Sequence, residues 1–268
     1  MGRSLGIVFA LVLAVGSCYS QDRYFARTYN TTVLPKGNID LEFWHTSRLG
    51  HENEFFHAQD QRMELEFGLG RKFQTAFYFN RYQKTAIDSL GNNATSNEIG
   101  FSNEWKWKLS DPISNRLGSA LYGEIGWRGD EIELETKLIL DKQIGKNLFA
   151  FNLVAEFGNE IKKEKGKTKI ELEETPIELD FAYMRNFSTN WGVGLEIVNH
   201  NDISKNNGWE NSTWHAGPTI NYRNNRWFII ANFLPQILNG HKTIYSPGNR
   251  VLDKHERFEG RLILGISL

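Results

Sequence analysis

Phe-Glu-Gly-Arg-Leu-Ile-Leu-Gly-Ile-Ser-Leu, residues 258–268, is the stretch that decides the fold. Apolar residues or glycine occupy every second position from Phe258 to Leu268, and Glu259, Arg261 and Ser267 lie between them. This period of two predicts a β-strand whose alternate side chains point to opposite faces. One apolar and one largely polar face are typical of a barrel in lipid, and we expect this strand to close the barrel.

Composition favours one large all-β domain. The chain has 268 residues, of which 40% are hydrophobic and 24% are charged, and a single barrel can account for that length. The formal net charge of -1 gives no indication of a nucleic-acid ligand or of an acidic partner.

The first residues have the features of a secretory signal. Arg3 precedes an apolar run over residues 5–15 that is too short to span a bilayer. Cys18-Tyr19-Ser20 supplies the small residues that predict cleavage before Gln21, which leaves no cysteine for disulfides or thiol catalysis. The alternative is acylation of Cys18, because Val15-Gly16-Ser17-Cys18 is similar to a lipoprotein box.

We therefore divide the chain into three parts. Residues 1–20 are predicted to be a signal peptide, 21–37 a periplasmic leader, and 38–268 an outer-membrane β-barrel. An exported chain without a later apolar run of 18 residues is either soluble or a β-barrel.

Alternating segments recur along the chain and predict twelve antiparallel strands. The clearest covers residues 98–109, where Trp105 and Trp107 alternate with Glu104 and Lys106. A Gly129-Asp130 turn predicts a hairpin with a fixed register. The expected pairs are Trp127 with Ile132, Ile125 with Leu134, Leu121 with Leu138, Arg128 with Glu131, and Glu124 with Glu135.

The connections between these strands alternate in length. Short connections are predicted at 70–71, 145–146, 187–190 and 223–225, and longer ones at 51–55, 83–97, 159–169, 200–210 and 239–255. Short periplasmic turns and longer outer loops are typical of bacterial barrels. Pro218 and Pro235 fit poorly inside a strand and predict bulges or strand ends.

Aromatic residues favour a membrane barrel over a soluble sandwich, in which the apolar face would form the core. Tryptophan and tyrosine sit near both ends of the predicted strands, as the interfacial girdles of a membrane protein require. The periplasmic set is Trp107, Trp191, Trp227 and Tyr222, and the outer set is Trp44, Trp127, Trp209 and Trp214.

The start of the barrel resembles a known family. Tyr-Asn-Thr-Thr-Val-Leu-Pro-Lys-Gly at residues 29–37, followed by Leu41-Glu42, is similar to the start of a family of uncharacterised bacterial outer-membrane barrels. The resemblance implies an outer-membrane location and a porin-like barrel, and it supplies no activity and no catalytic residue. The export signal before Gln21 is similar to those of Bacteroidota.

Charged residues on the inner face are the first candidate site. The predicted lumen constriction consists of Glu104, Lys106, Lys108, Glu124, Glu133, Glu135 and Lys137. Twelve strands leave room for either a narrow pore or a plug of ion pairs. Glu124 opposite Glu135 is a like-charge pair that needs a nearby cation. We expect a porin-like passive channel for small polar or charged solutes, with a non-conducting structural or surface-binding barrel as the alternative.

Histidines near the outer rim suggest two further readings. The seven are His45, His51, His57, His200, His215, His241 and His255. With neighbouring carboxylates they could capture a divalent metal, although no tight metal-binding spacing occurs and independent surface histidines are the simpler reading. Some twelve-stranded outer-membrane barrels are lipid hydrolases with His and Ser two residues apart, whereas His200 and Ser204 are four apart.

We expect no cofactor, no metal site and no catalytic residue. The expected partners are outer-membrane lipid, the barrel-assembly machinery through the C-terminal strand, and small polar solutes.

Overall fold

A computed structural model describes residues 23–52, 54–87, 91–164 and 167–268. Thirteen β-strands make up this part of the chain. Their bounds are β1 Ile39–Leu49, β2 Phe56–Gly70, β3 Phe73–Ile87, β4 Asn93–Ser110, β5 Gly118–Arg128, β6 Glu131–Ile144, β7 Asn147–Glu164, β8 Lys167–Glu174, β9 Ile177–Asn186, β10 Trp191–Ser204, β11 Gly208–Arg223, β12 Trp227–Asn239 and β13 Phe258–Ser267. Among the described residues there is no helix long and apolar enough to cross a bilayer.

The strands close into a ring. Each pairs antiparallel with its neighbours, and β13 completes the ring by pairing with β1, from Asp40 opposite Ser267 to Leu49 opposite Phe258. Strands β8 and β9 both pair with β7 and are two halves of one barrel strand, divided at Thr175 and Pro176. The fold is therefore a closed twelve-stranded antiparallel barrel, as the sequence predicted.

The two faces of the wall differ sharply in polarity. On β4, Phe101 is 57% exposed on the outside, whereas its neighbour Ser102 is buried in the lumen with Glu104. Trp105 and Leu264 are also exposed on the outside and do not meet at a shared core. Apolar groups face outward and ionic groups face an enclosed interior, so a soluble sandwich is excluded.

Strand register agrees with the prediction at the β5–β6 hairpin, where all five expected pairs are formed. Neither proline ends its strand, although the β11–β12 ladder has a register shift near them, between Trp214 and His215. Pro218 lies inside β11 and Pro235 lies inside β12. The ladder pairs His215 with Gln236 and next pairs Thr219 with Asn232. The prolines lack an N–H and occupy this gap, so they interrupt the ladder without ending either strand.

The barrel has a turn end and a loop end. The turn end carries the connections at 71–72, 111–117, 145–146, 187–190 and 224–226, and the loop end carries the others. Three of the predicted outer loops, 83–97, 159–169 and 200–210, consist largely of strand, because the hairpins β3–β4, β7–β8 and β10–β11 extend beyond the rest of the wall. Residues 240–257 form the long irregular connection at the loop end.

The segment before β1 lies inside the barrel. Its last turn docks on the rim at Gly68, where the Gly37 N–H donates to the Gly68 carbonyl at 2.9 Å and the Gly68 N–H donates to Asn38 at 3.0 Å. The residues before this turn are buried, with Phe25 and Thr31 at zero exposure. The predicted periplasmic leader, as far as it is described, therefore occupies the lumen.

Gly68→Ala is expected to destabilise the folded barrel by about 1–3 kcal/mol, the usual cost of overpacking. A Cβ at this position would lie 2.0 Å from the Pro35 carbonyl oxygen, so the docked turn must move. The matched control is Gly123→Ala, because its Cβ would meet nothing within 4 Å. Unfolding temperature in detergent measures both variants, and equal midpoints would contradict the docking.

Candidate functional site: a plugged lumen with an outer cavity

Residues 23–34 form a loop inside the lumen, and we call this loop the plug. The plug meets the turn end at both of its limits: the Leu34 N–H donates to Gln74 at 2.8 Å, and the Tyr24 carbonyl accepts from Asn221 at 3.2 Å. Its apex, around Arg27, reaches the middle of the barrel. The plug thus enters and leaves the lumen at the same end.

The backbone of the apex is held by one carboxylate, Glu196 of β10. Its two oxygens accept the N–H groups of Ala26 at 3.1 Å, Arg27 at 2.7 Å and Thr28 at 2.9 Å. The Asn232 amide donates to the same side chain at 3.1 Å. Glu196 is fully buried, and four donors are what a buried anion requires.

Two further lumen side chains form hydrogen bonds with the plug of the kind that a neighbouring strand would form. The Asn152 amide accepts the Tyr29 N–H at 2.7 Å and donates to the Tyr29 carbonyl at 2.9 Å. Asp141 accepts from both the N–H and the hydroxyl of Thr31, at 2.9 and 2.8 Å. The plug's backbone is therefore satisfied by side chains at points where a strand would be satisfied by a ladder.

Stacked cations and rings fill the space beside the apex. The Arg23 guanidinium lies 4.2 Å from the Tyr29 ring centre and 4.3 Å from that of Trp44. The Lys137 ammonium lies 4.4 Å from the Tyr29 ring centre and 4.9 Å from that of Tyr122. Such contacts are strongest where water is excluded. The lumen beside the apex is consequently packed, whereas a cavity of about 250 Å³ remains nearer the turn end, beside Tyr24, Asn30 and Thr32.

An outer cavity lies above the apex. It consists of two connected parts of about 230 and 240 Å³, which share Arg27, Arg48, Glu156 and Glu178 as lining residues. Arg27 and Tyr29 of the plug form part of its wall. A solute arriving from the loop end would thus meet the plug's apex directly.

Acidic residues form a row on one side of the cavity. Glu124 of β5, Glu135 of β6 and Glu156 of β7 are directly opposite one another across successive strands. The Arg62 guanidinium lies 3.6 Å from Glu124, and the Lys137 ammonium lies 2.9 Å from Glu135. The like-charge pair predicted from the sequence is therefore present, and each of its members has a cation.

Three arginines from adjacent strands also line the cavity. Arg261 of β13 and Arg48 of β1 lie away from the acidic row, whereas Arg62 of β2 reaches Glu124. Acids accompany them, since Arg48 pairs with Asp60 at 2.5 Å and with Glu259 at 3.2 Å. The cavity accordingly has its excess negative charge on β5–β7, whereas the arginines of β13, β1 and β2 are balanced by nearby acids.

The seven residues of the predicted constriction do not form one ring. Glu124, Glu133, Glu135 and Lys137 line the outer cavity, and Glu104 and Lys106 are buried at the level of the plug. Lys108 lies at the turn end and donates to Asp111 at 2.7 Å. That contact, with the Ser114 and Ile113 N–H groups, lowers the pKa of Asp111 below its ordinary value. The constriction remains a prediction.

The residues that hold the plug were not anticipated. Glu196, Asn152 and Asp141 differ from other inward-facing polar residues in no feature of the sequence, because each is one of several polar residues in its strand. The available signal was in the predicted periplasmic leader, where Arg23 and Arg27 flank the apolar residues Phe25 and Ala26.

Three of the seven histidines, His200, His215 and His255, line one part of the outer cavity. Asp202 joins two of them, with Oδ1 3.1 Å from His200 Nε2 and Oδ2 2.7 Å from His255 Nε2. Throughout the described ranges no group of three or more His, Cys, Asp or Glu could hold a metal ion. The Ser204 hydroxyl donates to Glu210 at 2.6 Å, so the structure does not bring together the Ser–His pair of the hydrolase hypothesis.

A lysine of the long loop stabilises this rim. The Lys254 ammonium lies 2.7 Å from the Glu210 carboxylate, which raises the pKa of Lys254. Through this ion pair, loop 240–257 is tied to the start of β11.

A closed ring of twelve antiparallel strands, an apolar outer surface and a charged lumen define a porin-like outer-membrane β-barrel. The chain belongs to the family of unknown function DUF6662, whose profile matches residues 17–268. This agrees with the uncharacterised barrel family expected from the sequence. The N-terminal signature and the Bacteroidota origin remain predictions.

Solved outer-membrane proteins share the fold at low identity. The COG4313 outer membrane channel from Pseudomonas putida F1 matches with a TM-score of 0.65 and 8% identity, over 88% of this chain and 97% of that chain. The β domain of the Bordetella autotransporter BrkA gives 0.58 and 7%, over 86% and 99%. The KdgM porin in complex with oligogalacturonate gives 0.52 and 7%, over 85% and 99%. A comparison with curated proteins gave no match.

Asn152→Leu is expected to loosen the plug, because the two hydrogen bonds to Tyr29 contribute about 0.5–1.5 kcal/mol each. The measurement is maleimide labelling of Thr28→Cys, a buried position, in a Cys18→Ser background. Labelling should become about tenfold faster. Asn225→Leu, in an exposed turn, is the control and should label like the parent. Unchanged labelling of the Asn152 variant would show that the hydrogen bonds between Asn152 and Tyr29 do not hold the plug.

Proposed function

We propose that this protein is a gated outer-membrane channel for small polar or charged solutes, and that the plug is its gate. The observation that carries the proposal is the position of the plug: it blocks a lumen whose wall is complete without it. No strand of the ring takes its ladder partners from residues 23–34.

The plug is held by bonds that can be exchanged for water. Its contacts to Glu196, Asn152 and Asp141 are hydrogen bonds, each of which contributes about 0.5–1.5 kcal/mol net, or somewhat more where a charge takes part. Removing it would leave the barrel's backbone paired, as a membrane wall requires. It would also leave polar side chains along the lumen, which water and small polar solutes can wet.

The closed lumen also favours the second candidate, a non-conducting structural or surface-binding barrel. In that case the plug is a permanent part of the core, and its contacts serve stability alone. Removal of the plug's anchor, Glu196, distinguishes the two proposals. If the plug is a gate, the channel should open. If the plug is a permanent part of the core, the barrel should become less stable and should not conduct.

The proposal includes a route to the membrane. We propose that residues 1–20 are removed as a signal peptide, and that the barrel-assembly machinery of a Gram-negative bacterium receives β13. The alternating faces of β13 support this, since the strand presents Leu262, Leu264 and Ile266 outward and pairs on both edges. Outer-membrane lipid then covers the apolar surface.

Glu196→Ala tests the gate. The change removes the acceptor of three plug N–H groups. It should destabilise the plugged state by about 1.5 kcal/mol or more, which corresponds to roughly tenfold in open probability. Single-channel recording in a planar bilayer measures this, with the parent chain mostly closed and the variant opening frequently.

Glu160→Ala is the matched control, because it removes a carboxylate from the projecting β7–β8 hairpin, where it contacts Lys162 and not the plug. It should record like the parent. A chain lacking residues 23–34 should conduct continuously. Silence of both the Glu196 variant and this deletion, in barrels shown to be folded, would rule out the channel and leave the non-conducting barrel.

A further inference from the structure

The side chain of Arg27 occupies a carboxylate pocket at the plug's apex. Its Nη2 lies 2.5 Å from Glu178 Oε2 on β9, and its Nε lies 3.7 Å from Glu259 Oε1 on β13. The two carboxylates come from different strands of the wall and meet two neighbouring nitrogens of the planar guanidinium, Nη2 and Nε. This is how a forked cation is bound, since its N–H groups point in fixed directions.

The pocket has more acceptor capacity than Arg27 uses. Asp180 follows Glu178 on the same inward face of β9 and is 1% exposed. Within the described ranges, no hydrogen-bond donor reaches its Oδ1 or the Oε1 of Glu259, and both atoms are buried. Buried oxygens of this kind normally have donors, so both can accept hydrogen bonds that Arg27 does not supply.

The outer cavity leads to this pocket. Both of its parts are lined by Arg27 and Glu178, and Glu156 faces the same space without an ion pair among the described residues. Volumes of about 230 and 240 Å³ suit a molecule of amino-acid size. A cation that enters from the loop end is therefore guided by carboxylates to the place where Arg27 lies.

We propose that the pocket formed by Glu178, Glu259 and Asp180 binds small organic cations bearing a guanidinium or primary ammonium group, and that Arg27 is its tethered occupant in the plugged state. The inference rests on the proposed function, because it makes such cations the solutes that compete with the plug. The His200 Nδ1 also lies 3.3 Å from the Glu178 carboxylate, so a residue outside the pocket helps to hold Glu178 in position.

Organic cations are favoured over metal ions by the geometry. The carboxylates approach the guanidinium from separate sides of the lumen, and no described set of three acidic or histidine side chains converges on one point. A metal ion needs such convergence at about 2.0–2.6 Å. A planar cation several ångströms across can be bound by carboxylates that do not converge on one point.

Arg27→Ala tests the site directly, because it vacates the pocket and keeps the acceptors. Calorimetric titration of the detergent-solubilised variant with methylguanidinium, at constant ionic strength, should show binding at least about tenfold tighter than in the parent, where Arg27 competes. Tetramethylammonium, which has no N–H, should not bind. Arg226→Ala, in a turn at the other end of the barrel, is the matched control and should titrate like the parent.

Glu178→Gln combined with Arg27→Ala should abolish the binding. Equal titration of Arg27→Ala and the parent, or binding that survives the Glu178 change, would overturn the proposal. Should Arg27→Ala fail to fold, Arg27→Gln keeps most of the side chain and is titrated in the same way. Calorimetry measures binding without current, so the two proposals can fail separately. Binding of methylguanidinium by a barrel that never conducts would contradict the channel and support the cation site. Conduction without binding would contradict the cation site and support the channel.

Discussion

Pairing of β1 with β13 is the contact on which everything else depends. A strand in hydrocarbon must have every N–H and C=O paired, and only closure of the ring supplies partners for the first and last strands. Closure encloses an interior that is too narrow for a wide aqueous pore and too wide to be filled by wall side chains alone. The lumen therefore needs a filling, and the plug meets this need in its turn half.

The same rule of pairing governs the plug. Its backbone runs across the lumen at a point where no strand edge is available, so side chains must act as partners. Glu196 gathers three successive N–H groups, and Asn152 reproduces both bonds of an antiparallel pair. The plug is therefore bound to the barrel wall through side chains and takes no part in its strand ladders.

Much of the wall could be predicted from the sequence. Alternation fixes which face each residue takes, and the Gly129-Asp130 turn fixed the register of its hairpin to the residue. The lumen could not be predicted in the same way. Alternation states that Glu196 points inward, but its partners lie about 170 residues away in the chain, and no local pattern encodes such a distance. The position of residues 23–34 could not be predicted for the same reason, because nothing in a polar stretch rich in Thr and Asn indicates the ring that encloses it.

Trp44 occupies an unusual position among the tryptophans. It is 6% exposed and faces the lumen beside Tyr29, whereas Trp105, Trp107 and Trp191 face outward with 40% or more of their surface exposed. The guanidinium of Arg23, a plug residue, lies against its ring, and those of Arg62 and Arg261 lie 5.2 and 5.4 Å from it. Departure of the plug would strip one cation from this indole and admit water. The emission wavelength of Trp44, one of eight tryptophans in the chain, is consequently coupled to whether the plug occupies the lumen.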